Sequence, residues 1–72
     1  MMQITQNARR QHERREDAER AIEVFYPAGY LYQVEPVVFR LEAVPVTFAV
    51  KVYHADGPFL GFAWDPEEEG EL

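Results

Sequence analysis

The hydrophobic period of this chain changes once, near Pro27, and that change limits the fold more than any other feature. Before it, Ala18, Ala21, Ile22 and Phe25 recur at steps of three and four residues, the spacing of one helical face. After Gly29 the period is two. Tyr30, Tyr32 and Val34 alternate with Leu31, Gln33 and Glu35, then Val37, Phe39, Leu41 and Ala43 with Val38, Arg40, Glu42 and Val44. Val46, Phe48, Val50 and Val52 alternate with Thr47, Ala49, Lys51 and Tyr53, and Leu60, Phe62 and Trp64 with Phe59, Gly61 and Ala63. Alternation of this length describes half-buried antiparallel strands. The pattern predicts an α+β fold: an N-terminal α-helix followed by a three- to four-stranded antiparallel β-meander, with the helix packed on one sheet face.

Punctuation sets the expected boundaries. Thr5 or Asn7 could cap a helix over about residues 6–25, and Pro27 with Gly29 stops it. The sheet is expected over about 30–64 and an acidic, mobile tail over 65–72, all in one domain, 1–72. Pro36 interrupts the first strand. Pairing Ala43 with Val46 sets Leu41 opposite Phe48 and Phe39 opposite Val50, so the apolar faces of a hairpin agree, although Pro45 sits awkwardly in its turn. His54-Ala55-Asp56-Gly57 is a good turn before Pro58, with Gly57 supplying the left-handed position. By parity Phe39, Phe48, Phe62 and Trp64 belong to the core. Tyr26, Tyr30, Tyr53 and Phe59 are freer, and exposed aromatic residues would mark a docking patch.

The first half of the expected helix has almost no apolar side. From Gln6 to Arg20 it reads QNARRQHERREDAER, with Ala8 and Ala18 as its apolar positions. No core can hold such a helix, so that half bridges solvent or awaits a partner. Arg9, Arg10, Arg14 and Arg15 offer guanidinium forks suited to phosphate or carboxylate. Glu13, Glu16, Asp17 and Glu19 are interleaved with them at distances of three and four, as in Arg10–Glu13 and Glu16–Arg20, so residues 1–24 are neutral. The whole net charge of -6 comes from residues 25–72, and five acids fall within the last eight residues.

Composition excludes several classes of chemistry. There is no cysteine and no serine, so serine and cysteine nucleophiles, disulfides and thiolate metal sites are ruled out. His12 reads as a surface residue of the arginine-rich helix, and His54 with Asp56 as part of a turn. No third ligand stands at a metal-binding spacing, and the scattered glycines form no phosphate loop. No cofactor or metal is expected, and no enzyme activity. No apolar run approaches the roughly 18 residues of a membrane span, and no secretory signal is seen, so a cytoplasmic location is expected. A chain of 72 residues has a thin core, which makes a homodimer or a docked complex the expected support.

The function that fits these limits is a small non-enzymatic protein-binding module. It would act stoichiometrically as a regulator or inhibitor of a larger protein, as small acidic phage-encoded inhibitors of host machinery do, an analogy of size and charge alone. Its expected partner-binding residues are Arg9, Arg10, Arg14, Arg15, Tyr53, Phe59, Glu67, Glu68 and Glu69. The alternative is a nucleic-acid-binding regulator that uses the arginine-rich helix.

Overall fold

In the computed structural model, residues 1–7, 12–37 and 47–71 are described. They form a small α+β fold of one helix and a four-stranded antiparallel sheet. The elements in chain order are β1 (Gln3–Thr5), α1 (Arg15–Val24), β2 (Tyr30–Val37), β3 (Thr47–His54) and β4 (Phe59–Trp64), followed by a 3-10 helix, Pro66–Glu71. The sheet order is β1-β4-β3-β2. β2, β3 and β4 make the expected meander, but the helix is not the first element. β1 precedes it and adds to the outside of β4, with Ile4 opposite Ala63. One apolar residue, Ile4, in a three-residue strand carries no visible period, so β1 is set by its long-range pairing alone.

The helix is also shorter than residues 6–25. It begins at Arg15, after Arg14 in an extended conformation (φ -131°, ψ 151°) with no side-chain cap. Thr5 Oγ1 bonds the Asn7 carbonyl instead of capping a helix. The reason lies at His12, whose backbone exchanges two hydrogen bonds with Phe48, at 2.8 and 2.7 Å. An extended bridge and a helix cannot share that backbone, and the polar residues around it offer the helix no buried stripe in return. Once the apolar spacing starts, α1 forms. Ala18, Ala21, Val50, Val52, Ala63 and Tyr26 make one core cluster, with Ile22, Phe25, Tyr32, Val34, Phe48 and Leu60 packed against it. The sheet face that carries Val50 and Val52 is therefore the inner face.

Two expectations about strand pairing are corrected. Pro36 does not end β2; it lies opposite Phe48, within a ladder that runs from Tyr30–His54 to Val37–Thr47. Phe48 directs both its N–H and its C=O to His12. The Pro36–Phe48 pair is thus a non-hydrogen-bonded one, in which proline's missing N–H costs the ladder nothing. The proposed hairpin of 37–44 with 46–53 lies mostly outside the described residues. Within them, Phe48 lies opposite Pro36 and Val50 opposite Val34.

The parity of β4 is also reversed. The register shifts between Val52 and Tyr53: Tyr53 pairs with Phe59 but Val52 pairs with Gly61, which leaves Leu60 as the extra residue. Gly61 and Ala63 consequently turn inward, while Phe62 lies opposite Lys51 on the outer face and Trp64 opposite Gln3. Gly61 suits this place. Its φ is +148°, and a Cβ there would stand 2.5 Å from the Thr5 carbonyl oxygen, so β1 lies where any side chain would.

Candidate functional site

Two clusters stand apart from the ordinary core, and they lie on opposite faces of the sheet. The first is polar and buried. Glu68, only 4 % exposed, accepts the Tyr26 hydroxyl at 2.6 Å and the Asp65 N–H at 2.9 Å through Oε2, and its Oε1 lies 3.3 Å from His12 Nε2. Asp65 Oδ1 accepts the Glu67 N–H at 2.9 Å and the Met1 amino group at 3.3 Å. The Glu68 N–H closes the turn on the Asp65 carbonyl at 3.0 Å. A carboxylate can be buried at tolerable cost when donors surround it, and here they come from three distant parts of the chain.

This overturns two expectations. His12 is not a surface residue but 8 % exposed, held beside Phe48 by the bridge that also ended the helix. The stretch after Trp64 is not a simple acidic tail: it is a 3-10 helix anchored by buried Asp65 and Glu68. Imidazole, phenol and carboxylate together could transfer protons in principle. General acid–base work needs a substrate within reach, however, and these groups are sealed in. Their evident role is to fasten the C-terminal turn to the sheet and to the end of α1.

The second cluster is apolar and exposed. The register sets Leu31 of β2 opposite Tyr53 of β3, and Tyr53 opposite Phe59 of β4, so the three form one row across the outer face. Leu31 is 54 % exposed and Phe59 50 %. The Phe59 ring meets Tyr53 edge-on at 5.4 Å and Phe62 at 5.8 Å, with Lys51 Nζ 5.8 Å from its centroid. Tyr53 donates its hydroxyl to Gln33 Oε1 at 3.1 Å. Lys51 bonds Glu35 at 3.0 Å, and that hydrogen bond is the main cause holding its ammonium above the usual lysine range.

The turn beside this row is built as its sequence suggests. Gly57 has φ +118°, its N–H bonds the His54 carbonyl at 2.8 Å, and the His54 N–H bonds Pro58 O at 2.8 Å. His54 Nδ1 accepts the Asp56 N–H at 3.1 Å. The Asp56 carboxylate lies 3.5 Å from the same nitrogen.

Of the remaining sequence candidates in the described residues, Glu68 belongs to the first cluster and the others to neither. Arg9 and Arg10 lie outside the described residues. Arg14 bonds Asp17 at 3.3 Å, which raises its pKa, and the Arg15 guanidinium lies 5.3 Å from the Phe48 ring centroid. Glu67 is exposed, Glu68 is the buried acceptor described above, and Glu69 falls in the same 3-10 helix. Tyr53 and Phe59 are brought together. Tyr26, which parity left free, is in the core; Leu31 was missed, since it reads as one more alternating strand residue. Among the described residues no three His, Asp or Glu side chains are placed to hold a metal, and no helix is long and apolar enough to cross a membrane.

No protein family, no curated protein and no solved structure matches the chain.

Proposed function

We propose that this protein is a non-catalytic protein-binding module that acts stoichiometrically, as a regulator or inhibitor of a larger protein. Its contact surface is the outer face of the sheet. One observation carries the reading: Leu31, Tyr53 and Phe59 stand in register across three strands, with Leu31 and Phe59 at least half exposed. Large apolar residues scattered singly over a surface need no explanation. Three in one row, with an aromatic edge contact that fixes two of them, resemble the pre-formed anchors of a protein interface.

Nucleic acid binding through the arginine-rich segment has less support. Arg14 is paired with Asp17, Arg15 rests over Phe48, and the chain as a whole is a polyanion. A titration with duplex DNA at low salt is expected to show no binding.

The test of the main reading compares the proteins retained by the wild-type chain with those retained by a Leu31→Ser/Phe59→Ser double variant and by Arg14→Glu/Arg15→Glu. Circular dichroism checks that each is folded. Loss of a stoichiometric partner only in the Leu31/Phe59 variant is expected. An unchanged set of partners in that variant would remove the outer face from consideration.

A further inference from the structure

The sheet ends in two unlike edges. β1 offers only the three residues Gln3–Thr5, whereas β2 offers eight. Phe48 turns its N–H and C=O to His12, so the Pro36–Phe48 pair is non-hydrogen-bonded, and the β2–β3 ladder runs without a shift from there to Tyr30. Alternation then assigns the backbone groups of β2. Leu31, Gln33 and Glu35 bond β3, while Tyr30, Tyr32 and Val34 direct their N–H and C=O groups away from it. Among the described residues, no strand lies beyond β2 and no backbone hydrogen bond takes these groups up. A row of free backbone groups is a template for another strand, and edges are usually blunted by a charge or a proline. Here the proline, Pro36, stands at one end, and Gly29 with φ +102° turns the chain at the other. Tyr30 to Val34 reads YLYQV, without a charge, and Tyr30 and Leu31 are 36 % and 54 % exposed. Glu35, the next residue, is held by Lys51 at 3.0 Å.

We infer that β2 pairs with β2 of a second copy, antiparallel about a two-fold axis at Tyr32, joining two four-stranded sheets into one. A two-fold axis makes the pairing antiparallel and brings the same segment to itself. Tyr30 of each copy then faces Val34 of the other, and Tyr32 faces Tyr32, so the three pairs exchange about six backbone bonds. Pro36, which has no N–H to give, falls opposite Ala28 and outside the pairing. Glu35 falls opposite Gly29, so no two acids meet across the seam. A shift of two residues either way brings Pro36 or the Gly29 turn into the ladder. The fold also leaves room. α1 packs over β2 and β3, and strands lie about 4.8 Å apart, so the two helices stand about 10 Å from each other on the joined sheet, near the usual packing distance. The contact uses the edge and not the outer face, so it goes beyond the docking reading: the dimer presents two Leu31, Tyr53 and Phe59 rows on one sheet.

The test follows the full-length chain over a range of concentration by sedimentation and by amide hydrogen exchange. The mass is expected to double as concentration rises. Over the same range the N–H groups of Tyr32 and Val34 should pass from fast to slow exchange, while those of Leu31, Gln33 and Glu35 stay slow throughout. Each copy carries a net charge of -6, so added salt is expected to tighten the dimer. Tyr30→Pro removes an outward N–H without touching the β2–β3 ladder, and is expected to weaken association roughly tenfold or more. Leu31→Glu with Gln33→Glu sets like charges opposite each other across the axis and should abolish the dimer, whereas Leu31→Glu with Gln33→Lys should restore it. Phe59→Ser is expected to leave the dimer intact while weakening docking, which separates the two readings. Circular dichroism checks that each variant is folded. A monomer that persists at about 1 mM, a dimer unmoved by these β2 variants, or slow exchange of Tyr32 and Val34 in the dilute monomer would each overturn the inference. Slowing of those two groups only when a foreign protein is added would overturn it in favour of a strand supplied by that partner.

Discussion

On the inner side of the sheet, His12, Tyr26, Asp65 and Glu68 bury polar and ionisable groups; on the outer side, Leu31, Tyr53 and Phe59 form an apolar row with two members at least half exposed. The inversion separates two roles. The carboxylate of Glu68 is tolerated because its oxygens meet Tyr26, Asp65 and His12, so folding depends on every member being present. The outer row is held by the edge contacts of Phe59 with Tyr53 and Phe62, by the Tyr53–Gln33 hydrogen bond and by the strands beneath it. Folding depends little on it, which leaves it available for binding. Polar burial marks what the fold needs, and apolar exposure marks what another molecule can use.

Substitutions can break this contrast. Glu68→Ala removes the acceptor shared by Tyr26, Asp65 and His12, and is expected to cost about 3 kcal/mol. For a domain of this size that lowers the Tm by more than about 10 °C in a calorimetric scan. A loss below about 0.5 kcal/mol would show that the network is ornamental. Gly61→Ala drives a Cβ into the Thr5 carbonyl at 2.5 Å, at a φ that disfavours any side chain, and is expected to cost about 2 kcal/mol. Hydrogen exchange should then find the Gln3–Thr5 strand released while β2 to β4 stay protected. Tyr26→Phe removes the 2.6 Å bond to Glu68 and the longer 3.4 Å contact with the Ala63 carbonyl but leaves Glu68 its contacts with Asp65 and His12, so about 1–2 kcal/mol is expected in urea unfolding. Leu31→Ser is expected to change stability by no more than about 0.5 kcal/mol, while reducing docking. A large destabilisation there would mean that the row belongs to the fold after all.

The smallest effect sharpens the comparison through pH. Lys51 beside Glu35 has a raised pKa, and Tyr32 is raised mainly by burial and then by Tyr30. In both cases the folded state holds a proton that the unfolded chain gives up sooner. The stability they contribute is complete at neutral pH and is lost only as pH rises through the lysine and tyrosine range. Glu35→Gln should return the Lys51 titration, followed by NMR, towards its ordinary value. An unchanged titration would mean that the ion pair does not form in solution.

Much of the outer face is legible in the sequence. Tyr53 and Phe59 flank a turn whose sequence names its own geometry, and alternation placed them away from Val52. Leu31 escaped because which residues lie side by side in a row depends on the register between strands, and the register of β2 on β3 was obscured by Pro36. The buried network was almost wholly illegible. His12 sits amid arginines and Glu68 in a run of acids, so each reads locally as solvent-facing. Only the bridge from His12 to Phe48 and the fold-back of the 3-10 helix bring them beneath the same surface.

The sequence alone determined the class of the molecule, since helical spacing, strand alternation, the stop at Pro27 and Gly29 and the turn at Gly57 are all settled within a few residues of one another. Tertiary structure decided the rest: the pairing of β1 with β4, the start of α1, the inward face of β4 and the burial of Glu68. Each depends on contacts between residues far apart in the chain. A period of two also fixes that a strand has two faces without fixing which is inward, and one extra residue at Leu60 was enough to exchange them.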